Sequence, residues 1–283
     1  SHGEQSECVR YVAMLGGDSP YGAFRAIESN KCQDALDPLK VLFEPNSPRG
    51  SDVVRLVVNL WNPNPNKFRR QAEKFSKKKP VYYEIIKKAL ENPDTAILAT
   101  TAILDWEATE LYPDLVEMIR KDINSESPQY VKAYRNALVA ILKDQPSKEH
   151  EEIYVKLLQM DRDDDSFVEV KRMAAKAVGQ LRTSTDAALK AVVQSLFMVS
   201  KGGQHMVPTV LDTILRIGKP ITPHLVDIIE SRPGDPKVKY MEDYAHAANI
   251  PDWQWRSGTK LPLVLSRLRD NKATMSVLND MLR

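Results

Sequence analysis

The sequence predicts an all-α protein built as a solenoid, a one-dimensional stack of helix pairs. Apolar pairs recur at equivalent places in four successive segments, with steps of 38, 36 and 36 residues. These pairs are Leu115/Ile119, Ile153/Leu157, Leu189/Val193 and Leu225/Ile229. A period of roughly 20–50 residues marks a stacked-repeat protein, whose long surface holds a partner. Apolar residues at three- and four-residue spacing, with Pro, Gly, Ser or Asp at the joints, predict helices as the repeating elements.

We expect residues 1–61 to form an N-terminal cap of atypical helices. Terminal repeats depart from the pattern because one of their faces meets solvent. The predicted helices of this cap lie at 8–15, 35–43 and 53–61. A Gly-containing loop is expected at 16–22, between the first two helices.

The only two cysteines, Cys8 and Cys32, lie in this cap. They are either two free thiols or a disulfide that joins the N-terminal helices, and two isolated cysteines do not decide between these alternatives. A disulfide would indicate an oxidising compartment, so that the protein would be periplasmic or exported. Free thiols would indicate the cytoplasm.

Helical repeats are expected over residues 62–231. The proline-rich stretch at 62–66 interrupts the pattern, and a helix pair follows at 67–76 and 81–90. Four further pairs are predicted at 94–106 with 111–122, 129–143 with 148–160, 167–181 with 185–199, and 207–217 with 222–231. Asp94, directly after Pro93, is placed as the N-cap of the first of these helices.

We expect residues 232–283 to form a C-terminal cap that closes the array of helix pairs. Its predicted helices lie at 241–248, 262–269 and 273–282, with a Pro- and Gly-bounded loop at 250–258. No linker is long enough to indicate a second domain, so residues 1–283 are expected to form a single α-solenoid domain.

The segment 167–199 carries the most specific residue pattern. Its first helix places small residues after a basic pair, as Val170-Lys171-Arg172-Met173-Ala174-Ala175-Lys176-Ala177-Val178. This pattern resembles the HEAT-repeat family, including its bacterial HEAT-like members, and the resemblance is clearest over 94–231. The resemblance implies a right-handed superhelix of about six or seven antiparallel helix pairs, usually a protein-binding scaffold. It implies no particular activity.

Composition and motifs favour a non-catalytic protein. The net charge of +2 gives no global attraction to nucleic acid or membrane, and no apolar run approaches the roughly 20 residues of a transmembrane helix. The acidic run at 161–165 lacks the Gly and Glu that an EF-hand loop requires. No nucleophile with an organised base, metal-ligand histidine pair or glycine-rich phosphate loop stands out. We therefore expect no catalytic residue, metal or cofactor.

Two blocks of opposite charge adjoin each other. Residues 62–90 carry a local charge of +7 with interleaved aromatic residues, and residues 91–127 carry −7. The basic block suits nucleic acid, an acidic protein or a lipid surface, and otherwise forms a solvated helix face. The two blocks are expected to neutralise each other in part across stacked repeats. We assign Arg69, Arg70 and Lys74 as candidate partner-binding residues.

Trp253 and Trp255 form a second candidate site. Alternation along an extended loop would place both indole rings on one side, and exposed aromatic rings are frequent binding anchors. The competing interpretation is that both rings fold back and seal the last helix pair.

Three functions follow from these patterns. The favoured hypothesis is a non-catalytic scaffold or adaptor that holds a protein or peptide on a curved helical surface. A nucleic-acid binder similar to the HEAT-like DNA glycosylases, acting through the basic residues of 67–88, is the less favoured alternative. The third is a structural component of a bacterial envelope or secreted assembly.

Overall fold

The computed structural model describes residues 2–18, 20–60, 69–123, 130–160, 165–198, 206–256 and 260–268. Every regular element in these ranges is helical and none of them contains a strand, which confirms the predicted all-α class. The chain divides into two compact units, Ser1–Ala140 and Ile141–Arg283, and the boundary between them falls inside one helix.

The first unit begins with four helices. They are α1 (His2–Met14), α2 (Tyr21–Ser29), α3 (Leu36–Leu42) and α4 (Gly50–Leu60). Helix α2 corrects the sequence-based prediction, which placed a loop at 16–22 and no helix between residues 15 and 35. Only Ala23 and Ile27 of its nine residues are buried, so the apolar periodicity of α2 is too short to be recognised in the sequence.

A disulfide ties the first two helices to the turn that follows them. Cys8 of α1 is bonded to Cys32, which lies after α2, with an S–S distance of 2.05 Å. Helix α1 packs against α2 and against the 3-10 turn at Gln33–Ala35. Of the two alternatives that the sequence leaves open for these cysteines, the structure therefore contains the disulfide.

Helix α5 (Arg69–Ala89) is one element of 21 residues where the sequence predicts a helix pair, and that prediction is wrong. Proline lacks an N–H and usually breaks a helix, but α5 continues through Pro80. Pro80 is exposed, so its ring lies on the solvent side of the helix. The following turns are anchored by three buried side chains, Tyr82, Ile85 and Ile86.

The next pair, α6 (Pro93–Trp106) and α7 (Tyr112–Asp122), confirms the pair predicted at 94–106 and 111–122. Its N-cap is Asn92 and not Asp94, because the Asn92 side chain accepts a hydrogen bond from the Asp94 amide at 2.9 Å. Pro93 then occupies the first helical position. The N–H at this position has no acceptor within the helix, so proline loses no hydrogen bond there.

Helix α8 (Val131–Asp144) lies against α6 within the first unit. The Asn136 side chain donates hydrogen bonds to the hydroxyls of Thr100 and Thr101 of α6, at 3.3 and 3.1 Å. These partners are 36 and 35 residues apart in sequence, which is one predicted repeat. The first helices of two successive pairs are therefore neighbours in space.

The second unit contains five helices that match the predicted elements in order. They are α9 (Glu151–Gln159), α10 (Asp165–Leu181), α11 (Asp186–Ser195), α12 (Met206–Ile217) and α13 (Thr222–Glu230). Helix α10 packs on α9 and α12, and α11 packs on α9, α12 and α13. Each helix thus contacts its neighbour in sequence or the second helix along the chain, as stacked pairs require.

The stacking of α12 on α10 depends on a small residue. A Cβ atom on Gly179 would lie 3.2 Å from the Cα of Thr213, so a larger side chain would push the two backbones apart. The buried Thr213 hydroxyl donates to the carbonyl of Ala175 at 2.9 Å. Ala174, Ala175 and Ala177 of α10 are also buried, so small residues make up much of the buried face of this helix.

The described chain ends with α14 (Lys239–Ala247), α15 (Asp252–Arg256) and α16 (Lys260–Arg267). Helix α15 replaces the predicted loop at 250–258. Helices α15 and α16 both pack on α13. The predicted helix at 273–282 lies outside the described residues.

Candidate functional site

An open apolar cleft lies among the N-terminal helices of the first unit. Its volume is about 250 Å³, and four separate stretches of chain contribute to it. The lining residues are Leu15, Pro20, Phe24, Leu39, Leu42, Ser47, Pro48, Arg49 and Val53. Apart from Ser47 and Arg49 all of these side chains are apolar, so the cleft is suited to apolar groups.

One wall of the cleft is the irregular segment between α3 and α4, at 43–49. This segment folds back tightly on the start of α4, because a Cβ atom on Gly50 would lie only 2.7 Å from the carbonyl oxygen of Pro45. Glycine is the one residue that fits this contact without a shift. The close approach holds Pro48 and Arg49 at the mouth of the cleft.

The base and the rim of the cleft differ sharply in exposure. Leu15, Leu39 and Val53 are buried in the core. Leu42 is 50% exposed, and its neighbour Val41 is 81% exposed. Tyr21, which is 59% exposed, contacts the cleft residue Phe24 edge to face, with 6.3 Å between ring centroids. Large apolar side chains are therefore in contact with water beside an apolar cleft, as is typical of a binding surface.

Arg49 is the single charged residue of the cleft lining. Its side chain is exposed, and it makes no ion pair with any residue of the described part of the chain. Its backbone is fixed, since the Arg49 carbonyl accepts a hydrogen bond from the Val53 amide at 3.1 Å. The cleft therefore presents one unneutralised positive charge beside its apolar lining.

The cleft was not predicted from the sequence, although the sequence carries a signal for it. Leu36, Leu39 and Phe43 already fill the buried face of α3 at helical spacing. Val41 and Leu42 are additional apolar residues with no place on that face. Such surplus apolar residues on a short helix indicate an exposed apolar surface.

The candidate residues Arg69, Arg70 and Lys74 lie in the first part of α5. Their side chains are outside the described part of the structure, so their assignment as partner-binding residues stays a prediction. The described half of the basic block begins at Lys78.

All four lysines of that described half are paired with carboxylates. Lys79 and Lys87 contact the acidic block, through Glu110 and through Asp114 at 3.1 Å. The hydrogen bond between Lys79 and Glu110 raises the pKa of Lys79 and lowers that of Glu110. These contacts confirm the predicted neutralisation between the two blocks.

The other two lysines pair in the opposite direction, with residues of the N-terminal cap. Lys78 contacts Asp37 at 2.7 Å and Lys88 contacts Glu44 at 3.3 Å. These contacts were not predicted from the sequence. The described part of α5 therefore carries little uncompensated positive charge for a phosphate backbone.

A second concave surface, between α5 and α7, is acidic. Its volume is about 560 Å³, and it is lined by Lys87, Leu90, Glu91, Asp114, Glu117, Met118, Lys121 and Asp122. Burial raises the pKa of Asp122 against the opposing effect of Lys121. Two of its carboxylates are already in ion pairs, Asp114 with Lys87 and Glu117 with Arg120.

The two tryptophans of α15 face different environments. Trp253 is 72% exposed, whereas Trp255 is fully buried. The prediction that both rings lie on one side is wrong, because a helix turns about 100° per residue and so directs positions i and i+2 to nearly opposite sides. Arg256 lies over the Trp255 ring, 4.2 Å from its centroid. Trp255 therefore belongs to the core, whereas Trp253 lies mainly at the surface.

Neither a metal site nor a membrane span is found in the parts of the chain that are described. No group of three or more potential ligand side chains converges there. None of the helices in those parts is long and apolar enough to cross a bilayer.

Comparison with known proteins adds no identification. No protein-family model and no curated protein matches this sequence.

Proposed function

We propose that this chain is a non-catalytic protein-binding scaffold whose N-terminal cleft holds a peptide segment of a partner protein. The exposure of Leu42, which lines an open apolar cleft, and of Tyr21, which contacts the lining residue Phe24, is the observation that carries this proposal. Burying one such side chain stabilises a structure or complex by about 1.5–3 kcal/mol, so a partner gains affinity by covering them. Trp253 is proposed as a further partner contact, as are Arg69, Arg70 and Lys74.

The proposed architecture is a right-handed HEAT-like superhelix of about six or seven helix pairs with atypical caps. It is supported by the packing of α10 on α12 and of α11 on α13, and by hydrogen bonds between residues one repeat apart. A compact globular chain of 283 residues has a radius of gyration of about 19 Å. Small-angle scattering tests the proposal, since a superhelix requires a clearly larger value and a value near 19 Å would contradict it.

Nucleic-acid binding is the weaker alternative, because the described lysines of the basic block are all paired. Titration with duplex and single-stranded DNA across a salt series discriminates between the two functions. A scaffold predicts no binding at moderate salt. Tight binding that falls steeply with salt would instead favour the glycosylase-like alternative.

The Cys8–Cys32 disulfide supports an oxidising compartment, periplasmic or exported, and favours a structural component of a bacterial envelope or secreted assembly as a second candidate function. A thiol titration of the unfolded protein, taken from its native source without reductant, tests this location. No reactive thiol is expected, and two reactive thiols would favour the cytoplasm.

Selection of random 12-residue peptides displayed on phage tests the scaffold proposal directly. The same library is selected against the wild type, Leu42→Glu and Leu215→Glu. Leu215 is the matched control, because it is an exposed leucine on α12 and does not line the cleft.

We expect enriched peptides to bind the wild type and Leu215→Glu, and to lose at least about tenfold in affinity for Leu42→Glu, since a carboxylate at the rim replaces apolar contact area. Circular dichroism and an unfolding midpoint confirm that each variant is folded. Equal binding to all three proteins, or no enrichment, would overturn the assignment of the cleft.

A further inference from the structure

We infer that the N-terminal cleft selects a peptide segment that combines apolar side chains with a carboxylate, and that Arg49 binds the carboxylate. This inference rests on the proposed function and specifies the chemistry of its partner. It follows from three features of the cleft: its size, the charge of its lining, and the ion pairs of the neighbouring carboxylates.

The size of the cleft matches side chains and not a whole element. Its volume of about 250 Å³ is below the range of about 300–1,000 Å³ that accommodates a drug-sized molecule. One or two apolar side chains can enter between Leu15, Leu39 and Phe24, while the backbone that carries them stays outside. The exposed Leu42, which lines the cleft, and Tyr21, which contacts the lining residue Phe24, are then available to cover part of that backbone.

The charge of the lining determines what else the segment needs. No carboxylate lines the cleft, and Arg49 is its only ionic group. A guanidinium beside an apolar surface forms a two-pronged hydrogen bond with a carboxylate, and this bond is stronger than one in open water. An acidic side chain or a terminal carboxylate one turn from the inserted apolar residues would meet Arg49.

Two carboxylates close to Arg49 in the sequence are paired with other cations. Glu44 of the same irregular segment is paired with Lys88, and Asp52 of α4 lies 3.7 Å from Arg55. Glu44 and Asp52 thus have cations of their own, while Arg49 has none within the described ranges. A basic segment would be repelled at this mouth, and an uncharged one would leave Arg49 unpaired beside a covered apolar surface.

A charge-reversal selection tests the inference. The 12-residue phage library is selected in parallel against the wild type, Arg49→Glu and Arg25→Glu. Arg25 is the matched control, because it is an exposed arginine of α2, in the same unit, that does not line the cleft. Peptides enriched on the wild type and on Arg25→Glu are expected to contain Asp or Glu near two apolar residues. Peptides enriched on Arg49→Glu are expected to contain Lys or Arg instead.

Synthetic versions of the enriched peptides give the magnitude. Affinity for Arg49→Gln should fall about 10-fold or more relative to the wild type, as loss of a charge-assisted hydrogen bond predicts. Replacing the acidic residue of the peptide by its amide should cause a similar loss on the wild type and almost none on Arg49→Gln. Arg49→Gln keeps most of the side-chain length, and its circular dichroism and unfolding midpoint are compared with those of the wild type.

The outcomes separate the two proposals. Peptides that depend on Leu42 but show no acidic preference, or that bind Arg49→Gln as well as the wild type, would overturn the role of Arg49 and leave the cleft as a binding site. Peptides that bind independently of Leu42 would overturn both.

Discussion

Removing each tryptophan of α15 in turn should produce very different losses of stability. Trp255 is fully buried, and Trp253, two residues earlier, is 72% exposed. The substitutions Trp255→Ala and Trp253→Ala delete the same atoms from the same short helix. They differ only in what surrounds the ring, so each variant is the control for the other.

The structure sets the size of the expected difference. A buried tryptophan covers about 150–250 Å² of surface, and truncating a buried tryptophan to alanine destabilises a protein by about 3–5 kcal/mol. Trp255→Ala also removes the ring beneath the guanidinium of Arg256, which is paired with Glu242 and donates to the Ser231 carbonyl at 3.2 Å. Trp253→Ala removes a mainly solvated ring and should change the free energy of unfolding by about 0.5 kcal/mol or less.

Denaturant unfolding followed by far-ultraviolet circular dichroism measures both variants. This signal does not depend on the tryptophan that each variant lacks, whereas intrinsic fluorescence does. Equal losses for the two variants, or a larger loss for Trp253→Ala, would refute the placement of Trp255 in the core of the second unit.

Three further outcomes are expected. Thr213→Val should destabilise the second unit by about 0.5–1.5 kcal/mol in denaturant unfolding, because it removes the hydrogen bond to the Ala175 carbonyl and keeps the side-chain shape; no loss would contradict that contact. Reducing the Cys8–Cys32 disulfide, whose cysteines are 24 residues apart, should lower the free energy of unfolding by about 3 kcal/mol, measured with and without phosphine reductant; an unchanged midpoint would contradict the cross-link. Burial raises the pKa of Tyr154 to about 12, above the ordinary value of about 10 that the unfolded chain has. The unfolded state therefore loses its proton first, and the free energy of unfolding should fall by about 2 kcal/mol as the pH rises from 10 to 12. Tyr154→Phe should remove that part of the alkaline loss and cost little at pH 7, and an unchanged pH profile would contradict the burial of this hydroxyl.

The helices from α6 to α13 could be predicted because each buries at least three residues at helical spacing and carries clear end signals, whatever its length. Failures occurred where a segment was short or where a strong local signal was overridden. Helix α2 buries too few residues to show a period, and α15 has only five residues, over which alternation and helical spacing cannot be told apart. In α5, buried residues after Pro80 anchor a helix that the proline alone would have ended.

The cleft could not be assembled from the sequence, because its residues come from four stretches of chain that only the fold brings together. Neither the close contact at Gly50 nor the unpaired state of Arg49 can be read from local composition. By contrast, the mutual neutralisation of the two charge blocks was predictable, since it depends only on adjacent repeats of opposite sign. The pairing of Lys78 and Lys88 with residues of the N-terminal cap was not predictable, because it depends on where α3 and the segment after it lie.

The central claim is that the N-terminal cleft is where a partner segment binds, and photo-crosslinking locates binding most directly. A peptide enriched on the wild type is synthesised with benzophenone beside its apolar residues, irradiated with the full-length protein, and mapped by mass spectrometry. We expect crosslinks within residues 15–24 and 39–53, which are lost in Leu42→Glu and retained in Leu215→Glu. Crosslinks confined to residues 141–283, or crosslinks that persist in Leu42→Glu, would contradict it.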